Sequence, residues 1–286
     1  MTIGFIGAGK VGFSLGQFFA HGGLPMTGYY SRHRDLAQEA AERTGTRQFA
    51  SLEALVRASD AIFLTVPDGA ISAVYKKLRQ FDLTGKQLCH CSGAISAQEA
   101  FPGAEELGAE LYSIHPLFPV SDKYVAWREL TGAFFCIEGV GTHLDWWAET
   151  LAGLGAQVRQ LPSAGKARYH AACTVASNLM CALAQVSVDL LGSCGFSQPE
   201  ALAALAPLMR ANLDHILHDG PQTALTGPVE RGDASTVARH LACLPEERTR
   251  RLYAAASGLL VDLAQKKHPE TDYQPVKTLL EEGSST

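Results

Sequence analysis

The first twelve residues constrain the fold more than any other stretch of the chain. Thr2-Ile3-Gly4-Phe5-Ile6 is a short apolar strand, and Gly7-Ala8-Gly9-Lys10-Val11-Gly12 follows it as a G-x-G-x-x-G turn opening onto a helical pattern. In a dinucleotide site each glycine has its own task. Gly7 permits the tight turn out of the strand, Gly9 lets the backbone approach a pyrophosphate, and Gly12 lets the helix pack closely on the strand. The helix N-terminus presents unpaired N–H groups, so the backbone from Gly9 through Lys10 to Val11 is the expected phosphate cradle. Glycine triplets also occur in ordinary turns. The apolar stripe Val11, Leu15, Phe18 and Phe19 supplies the helix this motif requires. Gly4 to Lys10 also matches the start of a P-loop, but Val11 stands where magnesium binding calls for a Ser or Thr hydroxyl.

About twenty residues on, an NAD site usually places Asp or Glu at the end of the second strand to bind the ribose hydroxyls. Here the chain reads Tyr29-Tyr30-Ser31-Arg32-His33-Arg34, with no carboxylate before Asp35. The Ser31 hydroxyl and the planar Arg32 guanidinium suit a 2′-phosphate, so NADP(H) is expected over NAD.

A length of 286 residues suits two domains, and a net charge of −5 gives no electrostatic case for nucleic acid or an anionic membrane. The start reads as a strand, with no basic and apolar leader. Seven cysteines are scattered without metal-ligand spacing, as expected of reduced thiols in a cytoplasmic protein. The longest apolar stretch, Ala171 to Leu191, contains Asn178, Gln185 and Asp189, so it reads as a buried helix of a soluble protein.

To about residue 160, short apolar strands alternate with helical stretches, the pattern of an α/β doubly wound Rossmann sheet. Strands are expected at Ile3–Ile6, Met26–Tyr30, Ala61–Val66, Gln87–Cys91, Glu110–Ile114, Phe134–Ile137 and Gln157–Gln160, with helices at Asp35–Arg43, Ser51–Ala58 and Ala70–Phe81. After Pro162 the chain becomes Ala- and Leu-rich. One long helix is expected over Ser163–Ser193, then helices at Pro199–Leu217, Ser235–Leu244 and Pro245–Lys267, and a frayed tail from Glu281 to Thr286. The expected division is a cofactor-binding domain over 1–161 and an all-α domain over 162–286.

Ligands of such sheets sit outside the carboxyl ends of the strands. Val66-Pro67-Asp68 is placed to wall a nicotinamide riboside, and Ser92-Gly93 and His115 to face substrate. A turn or cap role for Ser92 is equally compatible with its position. On the long helix, Lys166, His170, Thr174 and Ser177 or Asn178 form a polar line at helical spacing. A Lys or His there can pass a proton to an atom that has just accepted a hydride. The alternative is a snorkelling Lys166 and a His170 bonded to a carbonyl. His215 and His218 lack a third ligand in view, so no metal site is expected.

With these residues in hand, the chain resembles the NADP oxidoreductases that join a Rossmann-like domain to the helical domain of unknown function 2520. They sit in the wider superfamily of 6-phosphogluconate dehydrogenase, β-hydroxyacid dehydrogenases and pyrroline-5-carboxylate reductase. The resemblance is carried by His115-Pro116-Leu117-Phe118-Pro119, by the run Lys166 to Asn178, and by Ala224-Leu225-Thr226-Gly227-Pro228 with Arg231-Gly232-Asp233. It implies Lys166 or His170 as proton carrier, His170 standing where β-hydroxyacid dehydrogenases have Asn, and Ser92 as their strand-end substrate serine. It also implies a homodimer through the helical domain. The expected activity is hydride transfer between NADP(H) and a small polar carbonyl or hydroxy substrate, oriented by Ser92, His115 and Asn178. The loop bearing Thr226 and Arg231 would close the pocket. An imine reductase and a non-catalytic NADP(H) sensor are the alternatives.

Overall fold

The computed structural model describes residues 1–244 and 246–285. Eight strands form one sheet: β1 (Ile3–Ile6), β2 (Met26–Tyr30), β3 (Arg47–Gln48), β4 (Ala61–Leu64), β5 (Gln87–His90), β6 (Glu110–Leu117), β7 (Phe134–Val140) and β8 (Gln157–Gln160). Their order is β3-β2-β1-β4-β5-β6-β7-β8, parallel throughout except for the antiparallel pair β6–β7. The chain fills one side of β1 first and then crosses to β4, so a crevice opens where β1 and β4 end side by side. Parallel strands covered on both faces need apolar residues on both. Phe5, Phe63 and Trp147 pack on one face, and Ile6, Ile62, Leu64 and Leu88 on the other.

The covering helices are α1 (Lys10–His21), α2 (Arg34–Thr44), α3 (Leu52–Ala58), α4 (Asp68–Leu78), α5 (Ala97–Ala100), α6 (Ala126–Glu129) and α7 (Leu144–Gly153). They are followed by α8 (Lys166–Ala176), α9 (Asn178–Ser193), α10 (Gln198–Asp219), α11 (Pro221–Ala224), α12 (Ala234–Cys243), α13 (Glu247–Lys267) and α14 (Gln274–Ser285). Two compact units result, Met1–Asn178 and Leu179–Thr286, so α8 is counted with the sheet. The second unit has its own core of Val237, Ala254, Val261, Tyr273 and Val276.

Several expectations are corrected. His115 and Pro116 lie within β6, because β7 goes on pairing with that strand after β5 has ended opposite Ser113. The expected helix Ser163–Ser193 is a 3-10 turn over Ser163–Gly165 and then two helices, interrupted at Ser177 (φ −122°, ψ −70°). Nor is it buried in this chain: Val175, Leu179 and Leu183 are exposed. By length and composition it could cross a bilayer. Its first half, however, plants Lys166 among polar atoms of the sheet, which a lipid-embedded segment does not do. The helix α14 continues through Ser285 where fraying was expected; Thr286, like Pro245 at the expected start of α13, lies outside the described residues.

At the start of β6, Glu110 accepts hydrogen bonds from the Tyr112 hydroxyl, the Thr142 backbone N–H and hydroxyl, and His143 Nδ1. Burial opposes its charge, but these donors outweigh burial and hold the carboxyl at about 2. Its folded value lies below that of an unfolded Glu, about 4.3, so the stabilisation is complete above that value and fades as pH falls toward 2. The Tm gap between wild type and Glu110→Gln should therefore be widest near pH 7 and close as melts are run at lower pH. A gap independent of pH would refute this.

Candidate active site

The turn after β1 explains the three glycines separately. Gly7 has φ +107°, and a Cβ there would stand 2.6 Å from the Thr65 carbonyl oxygen. A Cβ on Gly12 would lie 2.3 Å from Thr65 Oγ1 and 2.5 Å from the Gly7 carbonyl oxygen, so α1 packs at a distance only glycine permits. A Cβ on Gly9 would meet no protein atom within 4 Å, and no side chain caps the N-terminus of α1. Space and unfilled donors therefore coincide at one point.

This turn forms one end of a groove of about 270 Å³. Gly7, Gly9, Ser31, Arg32, Val66 and Pro67 line it as expected, joined by His33 from the β2 end and Lys77 from α4. No carboxylate is among the lining residues, and two cations are. Lys10, Val11, Gly12 and Asp68 do not line it.

A second cleft, of about 580 Å³, lies between the end of β6 and the exposed face of α8. Its polar groups are His115, Tyr169, His170, Thr174, Ser177 and Asn178; Pro116, Leu117, Phe118 and Pro119 form an apolar wall. His115 Nδ1 lies 2.7 Å from the Tyr169 hydroxyl, and the His115 and His170 rings stand edge to face, 6.1 Å between centroids. Gly93 makes room for both, since a Cβ there would be 2.6 Å from His170 Cδ2 and 2.9 Å from His115 Nε2. Burial, then the Lys166 and His170 charges, push His115 down to about 4, so its ring is neutral at physiological pH.

Residues 2–91 match the family described as NADP oxidoreductase, coenzyme F420-dependent, and residues 133–259 match a domain of unknown function, DUF2520. The chain thus joins a region that matches the NADP oxidoreductases to one that matches DUF2520. Among solved structures it is similar to a Thermotoga maritima protein at 28% identity, covering 99% of this chain and 98% of that one, with a TM-score of 0.67. A Bacteroides fragilis protein described as an NADP oxidoreductase aligns at 20% identity over 91% and 98% of the two chains, with a TM-score of 0.70. An imine reductase from Myxococcus stipitatus, in complex with NADP+, aligns at 17% over 98% and 100%, with a TM-score of 0.64. The last two establish likeness of fold. No curated protein matches the chain.

In this NADP oxidoreductase the polar line on the long helix divides. His170, Thr174 and Asn178 line the cleft, whereas Lys166, one turn earlier, meets the sheet and is only 1% exposed. Its Nζ donates to the Ser92 carbonyl oxygen (2.9 Å) and to Ser113 Oγ (2.7 Å). Burial lowers its pKa; Glu138, itself buried and bonded to the Ala97 N–H and the Ser163 hydroxyl, pulls the other way. The Ser92 hydroxyl is likewise engaged: it donates to Asp68 Oδ2 (2.7 Å) and accepts from the Ala94 N–H (3.2 Å), as a turn-capping serine does. Thr226 and Arg231 belong to the second unit, where both are exposed. The sequence reading missed Tyr169, Ser113, Thr65 and Lys77. Only Tyr169 carried a signal, three residues after Lys166 and so beside it on the helix.

Proposed function

We propose that this oxidoreductase moves a hydride between NADP(H) and the carbon of a small C=O or C=N compound held in the histidine-lined cleft, with His170 as proton carrier. The observation that carries the reading is His170 beside a neutral His115 in the cleft, within the same unit as the carboxylate-free glycine-turn groove.

The groove fits a phosphorylated dinucleotide on three grounds: open space at Gly9, an uncapped helix end, and Arg32 and Lys77 without an opposing carboxylate. Backbone N–H groups from Gly9 to Val11 would hold the pyrophosphate. Ser31 and Arg32, with Lys77 across the groove, would hold the 2′-phosphate, and Val66 and Pro67 would wall the riboside. When bound, the reduced nicotinamide supplies the hydride.

The remaining work falls to the chain's own side chains. His170 gives a proton to the substrate oxygen or nitrogen in reduction and takes it back in oxidation. The Tyr169 hydroxyl, held protonated chiefly by burial, donates to His115 Nδ1 and so leaves Nε2–H as the donor that orients substrate. Lys166 is a positioning residue: it ties Ser92 to Ser113 and its charge helps keep His115 neutral. Asn178 and Thr174 complete the polar side of the cleft.

Loss of NADPH absorbance across a panel of ketones, aldehydes and cyclic imines tests this reading. Turnover of at least one member is expected, and imines turned over without ketones would select an imine reductase. Tight NADPH binding without turnover of any member would mark a sensor and overturn the proposal.

The second unit is proposed to pair with another copy. Leu202, Met209, Leu213 and Leu217 are all exposed and recur at helical spacing along one face of α10, an apolar stripe that solvated monomers rarely carry. Light scattering should give about twice 30.6 kDa for the wild type, and the double variant Leu213→Glu/Leu217→Glu should run as a monomer. A monomeric wild type at micromolar concentration would end that idea. A reducing cytoplasm suits the seven free cysteines.

A further inference from the structure

We infer that the cleft takes a carbonyl or imine carried on an uncharged, apolar body, and discriminates against the counterpart bearing a carboxylate beside the reacting carbon. The inference rests on the proposed function and narrows its substrate class. Recognition of a substrate carboxylate needs a cation or a fork of donors placed for it, because an anion left without a partner against apolar walls loses its hydration uncompensated. None of the residues lining this cleft is Lys, Arg, Asp or Glu, and the one positive charge the proposed reaction places there, the proton carried by His170, is given to the reacting oxygen or nitrogen. Lys166, one turn before His170, points into the interior with its ammonium bonded to Ser92 and Ser113. Arg168, two residues before His170, does not line the cleft.

What the cleft offers instead is a few hydrogen-bonding groups on one side and hydrocarbon on the other. Pro116, Leu117, Phe118 and Pro119 come from the end of β6 and the loop after it, and Ala172 and Ala176 come from α8. Such a surface stabilises an apolar substituent in rough proportion to the area it covers. The polar atoms near His115 and His170 are enough for one oxygen or nitrogen. In the reduction the substrate carbon gains the hydride of NADPH, its oxygen or nitrogen gains one proton from His170, and NADP+ is released.

The test uses matched pairs that differ by one carboxylate: acetophenone against phenylglyoxylate, and 2-methyl-1-pyrroline against 1-pyrroline-2-carboxylate. Both members of each pair are assayed at the same pH. The neutral member of each pair should show a kcat/KM at least tenfold higher. Equal or better use of the carboxylates would overturn the inference while leaving hydride transfer standing. If no pair turns over, the hydride-transfer reading fails for these compounds. Calorimetry on the NADP+-loaded protein with 1-phenylethanol and mandelate then decides the inference: tighter binding of the alcohol by tenfold supports it, and equal binding, or none of either, refutes it. A Thr174→Arg variant, which brings a guanidinium into the cleft, should shift the kcat/KM ratio toward the carboxylate member by about tenfold.

Discussion

Alanine at position 170 is expected to lower kcat by about 10²- to 10⁴-fold, the usual contribution of a positioned proton donor, with NADPH affinity unchanged. His170 is half-buried, lines the cleft and is not bonded to the sheet, so its removal should leave the fold intact. Lys166→Met should behave differently. It removes the ammonium that donates to both the Ser113 hydroxyl and the Ser92 carbonyl, leaving that carbonyl only the longer bond from Ser113, so stability falls along with activity. It also removes a charge that depresses His115, so the acid limb of the pH–rate profile should move upward from near pH 4. A titrating group whose pKa rises is lost to protonation at higher pH, which fixes the direction of that shift. Tyr169→Phe should raise KM and lower kcat by roughly tenfold through the freed His115 ring. Should His170→Ala cost less than tenfold while Lys166→Met abolishes turnover without loss of stability, the proton would belong to Lys166.

The second large effect separates two glycines of one motif. Gly9→Ala should leave the Tm of the free protein unchanged, because its new methyl meets no protein atom within 4 Å. It should nevertheless weaken NADPH by at least about tenfold, since that methyl would stand where the pyrophosphate approaches the backbone. Gly12→Ala should do both kinds of damage. Its methyl runs into the Gly7 carbonyl, a backbone atom that cannot rotate aside, and into Thr65 Oγ1, which is bonded to that same carbonyl. Overpacking of this kind costs about 1–3 kcal/mol and should lower Tm by roughly 3–10 °C. Thermal melts of both variants with and without NADPH give the comparison directly. Equal behaviour of the two would mean that Gly9 is an ordinary turn residue.

The contrast between what the residue order revealed and what it hid has a physical cause. Bounds of β1 and β2 agree with the expected strands because each is short and bounded by glycine or proline, Gly7 after β1 and Pro25 before β2. The strand β3 has only Arg47 and Gln48, too few residues for any alternation to appear. Helical spacing placed Lys166 and His170 on one stripe, which is correct, but spacing cannot tell what covers each turn of that stripe. The sheet covers the first turn and a cleft the next, so neighbours of like chemistry acquire different tasks. Lys77 and Thr65 reach the groove from α4 and from the end of β4, joined to the glycine turn only by folding. The apolar stretch after Ala171 reads as buried and is exposed in this chain, since hydrophobicity alone does not distinguish a core from an uncovered surface.

Hydride transfer in this chain requires that the crevice beside Gly9 bind a 2′-phosphorylated dinucleotide. Fluorescence titration of NADPH and NADH into the wild type and Arg32→Ala addresses that claim with the fewest assumptions. NADPH should bind the wild type at least tenfold more tightly than NADH, and Arg32→Ala should erase the difference by weakening NADPH alone. Equal affinities in the wild type, or an Arg32→Ala variant that still prefers NADPH, would contradict it.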